Sequence, residues 1–266
     1  MSTATASTTR AKARRKSFSS TLYGVEAIRQ LRNPYTLVFT LVMPVGMYLL
    51  FGGAMPYATQ SAGNGNVAYY IMVSMGAFGT ATAMSSLCSL AASEVRQGWG
   101  RQIAMTPLST TGYVLTKVAS AVSFSALSVV LVYIAGLVTG AQADALWMWF
   151  ASAAMTLGFG LIFGFWGMGV GLLFNSDSAA ALASIAITVF GFLGNVFMPL
   201  EGVMLQVARF TPMYGYTGLV RWPVTEWQLT NGGSDPLWVL LLNFAVWAAV
   251  FFVIAYAGVR RSRRRA

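Results

Sequence analysis

Few residues in this chain of 266 could do chemistry, and most of them crowd into EVRQGWGRQIAMTPLSTTGYVLTK at 94–117. There Glu94, Arg96 and Arg101 stand beside Trp99 and Met105, between long apolar runs. The sequence contains no His, which removes the commonest general base and metal ligand. The single Cys, Cys88, lies in an apolar run and reads as a small buried hydrophobe. No G-x-x-x-x-G-K-[ST] run is present to cradle nucleotide phosphates. The chemistry open to 94–117 is therefore recognition rather than catalysis. Trp and Arg are the side chains that most often anchor protein interfaces, so Glu94, Arg96, Trp99, Arg101 and Met105 read as a docking surface. A solvated loop with one interfacial Trp is the simpler alternative.

The elements that must position this stretch are membrane helices. Hydrophobic residues make up 56% of the chain and charged residues only 9%, a balance that fits helices crossing a bilayer. Apolar runs long enough to cross occur at about 35–55, 67–92, 113–139, 146–173, 179–199 and 237–259. If both termini are cytoplasmic, 15 of the 17 Lys and Arg residues fall inside, leaving Arg209 and Arg221 outside. The net charge of +10 is concentrated in RAKARRK (10–16) and RRSRRR (260–265), which flank membrane segments. That placement suits anchoring beside anionic lipid headgroups and argues against a nucleic-acid partner. RRKSF at 14–18 is followed by polar and charged residues as far as Arg32, so it reads as cytosolic tail and not as an export signal.

Residues 17–33 space Phe18, Leu22, Val25 and Ile28 at helical intervals, which predicts an interfacial helix before Pro34 turns the chain into the membrane. In the fourth run Gly160 and Gly164, and then Gly167 and Gly171, are spaced four apart, a pattern that lets helix backbones approach closely in lipid. The interleaved Phe159, Phe163, Phe165 and Trp166 could line a path for an apolar cargo, or simply face lipid and neighbours. No carboxylate lies mid-span, which counts against a proton-coupled carrier: Asp144 and Glu201 flank the outer side, Glu94 and Asp177 the inner. Residues 195–224 are too polar and Pro-broken to cross as one helix, yet too apolar for a free loop. A short helix around 203–210, bounded by Pro199 and Pro212, would dip into the outer leaflet, with Pro199, Glu201, Phe210, Pro212 and Tyr214 walling an outer gate.

Glu94, Gly98, Gln102, TPLS at 106–109 and Lys117 resemble the second cytoplasmic segment of type-2 ABC exporter permeases. FMPLE (197–201) and TPMY (211–214) are similar to that family's re-entrant region, and the likeness extends over about 17–259. Where the family often has Thr and an acidic residue after the glycine, this chain has Trp99, Gly100 and Arg101. The resemblance implies an all-α integral membrane fold of six spans with an N-terminal interfacial helix and a partly re-entrant segment before the last span. Residues 17–259 would form the permease domain between basic cytoplasmic tails at 1–16 and 260–266. It further implies a cytosolic ATP-binding partner that carries ATP and Mg, with no cofactor on this chain. Two permease subunits, identical or related, would form the pathway. Residues 94–108 would be the coupling helix, with Lys117 snorkelling to the headgroups. Short outer loops favour a drug or antibiotic as cargo, with polysaccharide or lipid-linked glycan as the alternative. A passive channel, an ion-coupled carrier and a membrane scaffold for a cytosolic partner are the readings from other classes. Richness in Ala, Gly and Arg points to a high-GC bacterium and its plasma membrane.

Overall fold

The computed structural model describes residues 18–99, 102, 105–174, 178–197, 199–226, 228 and 233–263. The tail at 1–16, Arg101 and Asp177 lie outside the described residues, as does the side chain of Trp99. The architecture is helical, with only isolated bridges and no strand among the described residues. Five helices are long and apolar enough to cross a membrane: Pro34–Gly53, Val67–Gly98, Thr111–Val138, Leu146–Leu173 and Leu237–Ser262. The expected fifth run forms a shorter helix, Ala179–Leu193. Its 15 residues reach only ~22 Å along the axis, less than the hydrocarbon thickness of about 30 Å.

Helix α1 (Ser20–Leu31) begins where the Ser19 hydroxyl accepts from the Leu22 amide. It ends just before Asn33, whose side chain accepts from Tyr35 and Thr36 and so caps the start of α2 (Pro34–Gly53). Pro34 sits in the first turn of α2, where a missing N–H is harmless. The amphipathicity of α1 is inverted relative to a water-soluble helix. Glu26 and Gln30 are buried against the protein, while Val25, Ile28 and Leu31 are about half exposed. An apolar outer face on a helix beside the bundle end suits the expected interfacial position.

Helix α3 (Val67–Glu94) is the axis of the fold. It packs against α2, α4 (Thr110–Val138), α5 (Leu146–Gly160), α6 (Ile162–Leu173), α7 (Ala179–Leu193) and α9 (Pro212–Thr225). Surrounded in this way it needs no single apolar stripe, and its run of Ala, Gly, Ser and Thr lets each neighbour approach. Two of its buried hydroxyls turn back on their own helix, Ser74 onto the Tyr70 carbonyl and Thr82 onto that of Phe78. The last long helix, α10 (Leu237–Arg263), packs on α6 and α9. Its carboxyl end shares a groove with Lys117 of α4, and Ser19 beside α1 reaches Thr116 of α4, so α1 and the carboxyl end of α10 meet one end of the bundle.

The glycine repeat forms the seam between α5–α6 and α3. A Cβ on Gly160 would stand 2.4 Å from Thr80, and one on Gly164 would stand 3.1 Å from Met84. On Gly167 and Gly171 it would meet the Ser85 and Ser89 carbonyl oxygens at 2.0 and 2.3 Å. Spacings of four, three and four put all of them on one helical face. The interleaved aromatics turn toward other partners: Phe163 is buried against Tyr216 and Phe251, Trp166 donates to the Ala183 carbonyl, and Phe159 packs on Phe244. Within this chain these three pack helices together, while Phe165 is exposed beside Phe252.

The region before the last span differs from expectation in extent. A short helix α8 (Gly202–Ala208) lies near the expected place, but Pro212 starts a second, longer helix, α9, instead of ending structure. Proline occupies the first helical turn there without loss, because that amide has no intrahelical partner.

The seam predicts a contrast between two glycines. Gly167→Ala should destabilise the protein by about 1–3 kcal/mol, since the Ser85 carbonyl has to move. Gly158→Ala, which meets nothing within 4 Å, should be neutral or stabilising by about 0.5–1 kcal/mol. Thermal unfolding in detergent measures both, and equal effects would contradict the seam.

Candidate functional site: a buried charge cluster beneath the 95–109 connection

At the end of the bundle where α1 and the carboxyl end of α10 lie, three elements meet on four charges. Glu26 of α1 is 3% exposed, Glu94 at the end of α3 is 7% exposed and Lys117 in the second turn of α4 is 8% exposed. The Lys117 ammonium donates to Glu94 at 2.6 Å and also to Glu26. Arg29, half-buried, pairs with the other oxygen of each carboxylate. The Tyr113 hydroxyl donates to Glu94 at 2.9 Å, and the Lys117 ammonium lies 5.4 Å from the Tyr113 ring centroid. Two carboxylates and two cations balance, so the group can be buried without a net charge. Burial alone would lower the pKa of Arg29, but its hydrogen bond to Glu94 and the charges of Glu26 and Glu94 outweigh it and hold the guanidinium above its ordinary range. Tyr23 donates to Ser123 at 2.7 Å and adds a second tie between α1 and α4.

This geometry corrects two expectations. Glu94 does not face outward to a partner, because its carboxylate is enclosed by Arg29, Lys117 and Tyr113. Lys117 does not snorkel to the headgroups, because two carboxylates hold it inside. The Glu26 and Arg29 contributions were not foreseen. The available signal was an acidic residue on the apolar-flanked α1 and opposite charges at the facing ends of two apolar runs.

The connection leaves this cluster as a wide turn over Val95–Trp99, in which Gly98 adopts φ +96°, a conformation that disfavours any side chain. Arg96 reaches the Phe174 carbonyl at the end of α6 and so ties the turn to a third helix. Met105 is 82% exposed, whereas Leu108 is buried and Ser109 caps α4 by accepting from Gly112 at 2.9 Å. The connection is thus fixed at both ends, with Met105 exposed between them.

A second polar construction holds the opposite end. Arg221 of α9 is 5% exposed and donates to Ser74 of α3 at 2.7 Å and to the Asn195 and Val196 carbonyls at 2.9 and 3.0 Å. Its guanidinium lies 4.4 Å from the Tyr70 ring centroid. Asn195 takes positive φ, and its side chain accepts from Leu200, so the turn after α7 is clamped onto α3. Of the expected gate residues, Pro212 and Tyr214 are buried in α9, while Pro199, Glu201 and Phe210 are exposed. Tyr214 and Arg209 both bind Asp235 before α10, and Asn243 of α10 donates to the Arg209 carbonyl at 2.7 Å.

Lys117→Met leaves two buried carboxylates against one half-buried cation and should destabilise by about 3–5 kcal/mol. A Glu26→Gln/Lys117→Met double-mutant cycle should show coupling of about 0.5–3 kcal/mol, and additive effects would contradict the cluster. Arg221→Lys should not rescue the outer turn, because one ammonium cannot replace a guanidinium that reaches three acceptors. Hydrogen exchange over 195–200 should rise in that variant, and wild-type protection would contradict the clamp.

Comparison with known proteins agrees with a transport role for this arrangement. The family described as "ABC-2 type transporter" matches residues 20–223, from the first turn of α1 to the end of α9. A protein of Bacillus subtilis (strain 168) named "Putative transport permease YvfS" is 25% identical over 241 residues, covering 86% of this chain and 92% of its own length. With its charge cluster, its apolar bundle and a family match over most of its length, the chain belongs to the ABC-2 type transporter family and is a multi-pass transmembrane transport subunit.

Proposed function

We propose that this subunit forms, with a second permease subunit, the pathway of an ATP-driven exporter that moves a hydrophobic or amphipathic molecule, a drug or antibiotic in preference to a glycan, out across the bacterial plasma membrane. ATP and Mg bind a separate cytosolic subunit. The observation that carries this reading is the construction around 95–109. A short connection with an exposed Met105 grows directly from a buried charge cluster that joins α1, α3 and α4. Force applied to such a connection reaches two membrane helices and the interfacial helix together. Arg96, Trp99, Arg101 and Met105 would meet the ATPase, and Glu94 would position them from within.

The membrane arrangement follows the same reading. Helix α1 and the carboxyl end of α10 lie at one end of the bundle, an arrangement that fits six spans with cytoplasmic termini. Helix α7, too short to cross alone, would complete its passage through the clamped turn at 194–200, and α8–α9 would form the partly re-entrant outer gate. The exposed apolar faces of α2 (Val38, Phe39, Val42) and α7 (Ile185, Val189, Phe192) are available to a second permease subunit.

Affinity purification in mild detergent tests the proposal. The tagged chain should recover a nucleotide-binding subunit, and the Trp99→Ala/Arg101→Ala variant should lose it. Absence of any ATPase from both samples would remove the ATP-driven reading and direct attention to passive or ion-driven flux.

A further inference from the structure

Two grooves open beside the carboxyl end of α10 and run into each other. The first, of about 280 Å³, is lined by Cys88 of α3, Val95 of the turn that follows it, and Val114 and Val118 of α4. The second, of about 540 Å³, lies between α6 and α10, with Phe165, Phe252 and Tyr256 along its length. Met168 and Val259 line both, so the two adjoin as an apolar trough beside the charge cluster. Its charged lining consists of Lys117 and Arg260, and no carboxylate lines it among the described residues. The two cations differ. Lys117 is already neutralised by Glu26 and Glu94, whereas Arg260 is exposed with its guanidinium 5.9 Å from the Tyr256 ring centroid.

We propose that this trough seats one anionic phospholipid of the surrounding bilayer, with an acyl chain along Met168 and Val259 and the phosphate against Arg260. The shape supplies an apolar slot with a cation at its mouth, as ligand sites for amphiphiles require. The sign of the mouth selects an anionic headgroup over a zwitterionic one, as basic residues at a membrane surface do. Tyr113 and Lys117 form part of the same trough, so the bound lipid touches the wall of the charge cluster and braces α10 against α3 and α4. This assignment is independent of the direction and cargo of transport.

The test uses the full chain, reconstituted in vesicles of equal phosphatidylglycerol and phosphatidylcholine, extracted, washed with detergent and examined by native mass spectrometry. The parent protein should retain phosphatidylglycerol in preference to phosphatidylcholine. Arg260→Ala should lower that retention by roughly fivefold, the magnitude expected of one basic residue beside anionic lipid, and Arg260→Lys should restore most of it. Val259→Trp should fill the trough and remove both lipids, while Arg32→Ala, at an exposed cation at the end of α1 that does not line the trough, should change nothing. Retention without headgroup preference, or an equal loss in Arg32→Ala and Arg260→Ala, overturns the proposal. Unchanged retention in Val259→Trp overturns it too. Arg260 is exposed at the helix end, so its variants remain informative if Val259→Trp fails to fold.

Discussion

Burying charge at the edge of a membrane is tolerable only when every charge has a partner, and this requirement organises one end of the molecule. Lys117 cannot be withdrawn from water without both Glu26 and Glu94, and those carboxylates in turn need Arg29. The four residues come from three separate segments, so none of those segments can shift alone without stranding a charge. The interfacial helix is therefore not merely laid on the bundle. Its polar face is part of the same electrostatic unit as the ends of α3 and α4, and its apolar face is left for the lipid boundary.

The rest of the bundle follows a different rule. Away from the charges, α3 contacts neighbours on all sides through small residues, and α6 approaches it so closely that a methyl group on Gly167 would collide with backbone. Tight packing of this kind supplies attraction where the hydrophobic effect between helices is absent, as it is in lipid. At the opposite end Arg221 performs a task resembling that of the charge cluster with neutral acceptors, fastening an irregular turn to α3 through two carbonyls and a hydroxyl. Irregular backbone at membrane depth needs such a donor, because lipid offers none. The molecule thus has polar fastenings at both ends and a seam of small residues between them.

Much of this was legible in the sequence for physical reasons. Apolar runs of membrane length located the long helices, and four glycines at helical spacing marked the face that meets α3. The pairing of Glu26 and Glu94 with Lys117 was not legible, because the partners are 91 and 23 positions away and a single sequence does not give the angle at which separate helices face each other. Glu94 therefore read as part of an outward surface when it is the buried base of that surface. Pro212 reads in the sequence as the boundary of a short helix, because proline ends helices more visibly than it begins them, and this hides α9. The buried Arg221 was read only as an outer charge, since its acceptors are backbone atoms that leave no mark in the sequence.

The central claim is that α1, the end of α3 and the start of α4 move as one body. Spin labels on Val25 of α1 and Leu115 of α4, both about half exposed, can report it by double electron–electron resonance. The chain would be measured with the ATPase proposed as its partner, in nucleotide-free and nucleotide-trapped states. The account predicts the same distance distribution in both states; a displacement of several ångströms between α1 and α4 on nucleotide binding would contradict it.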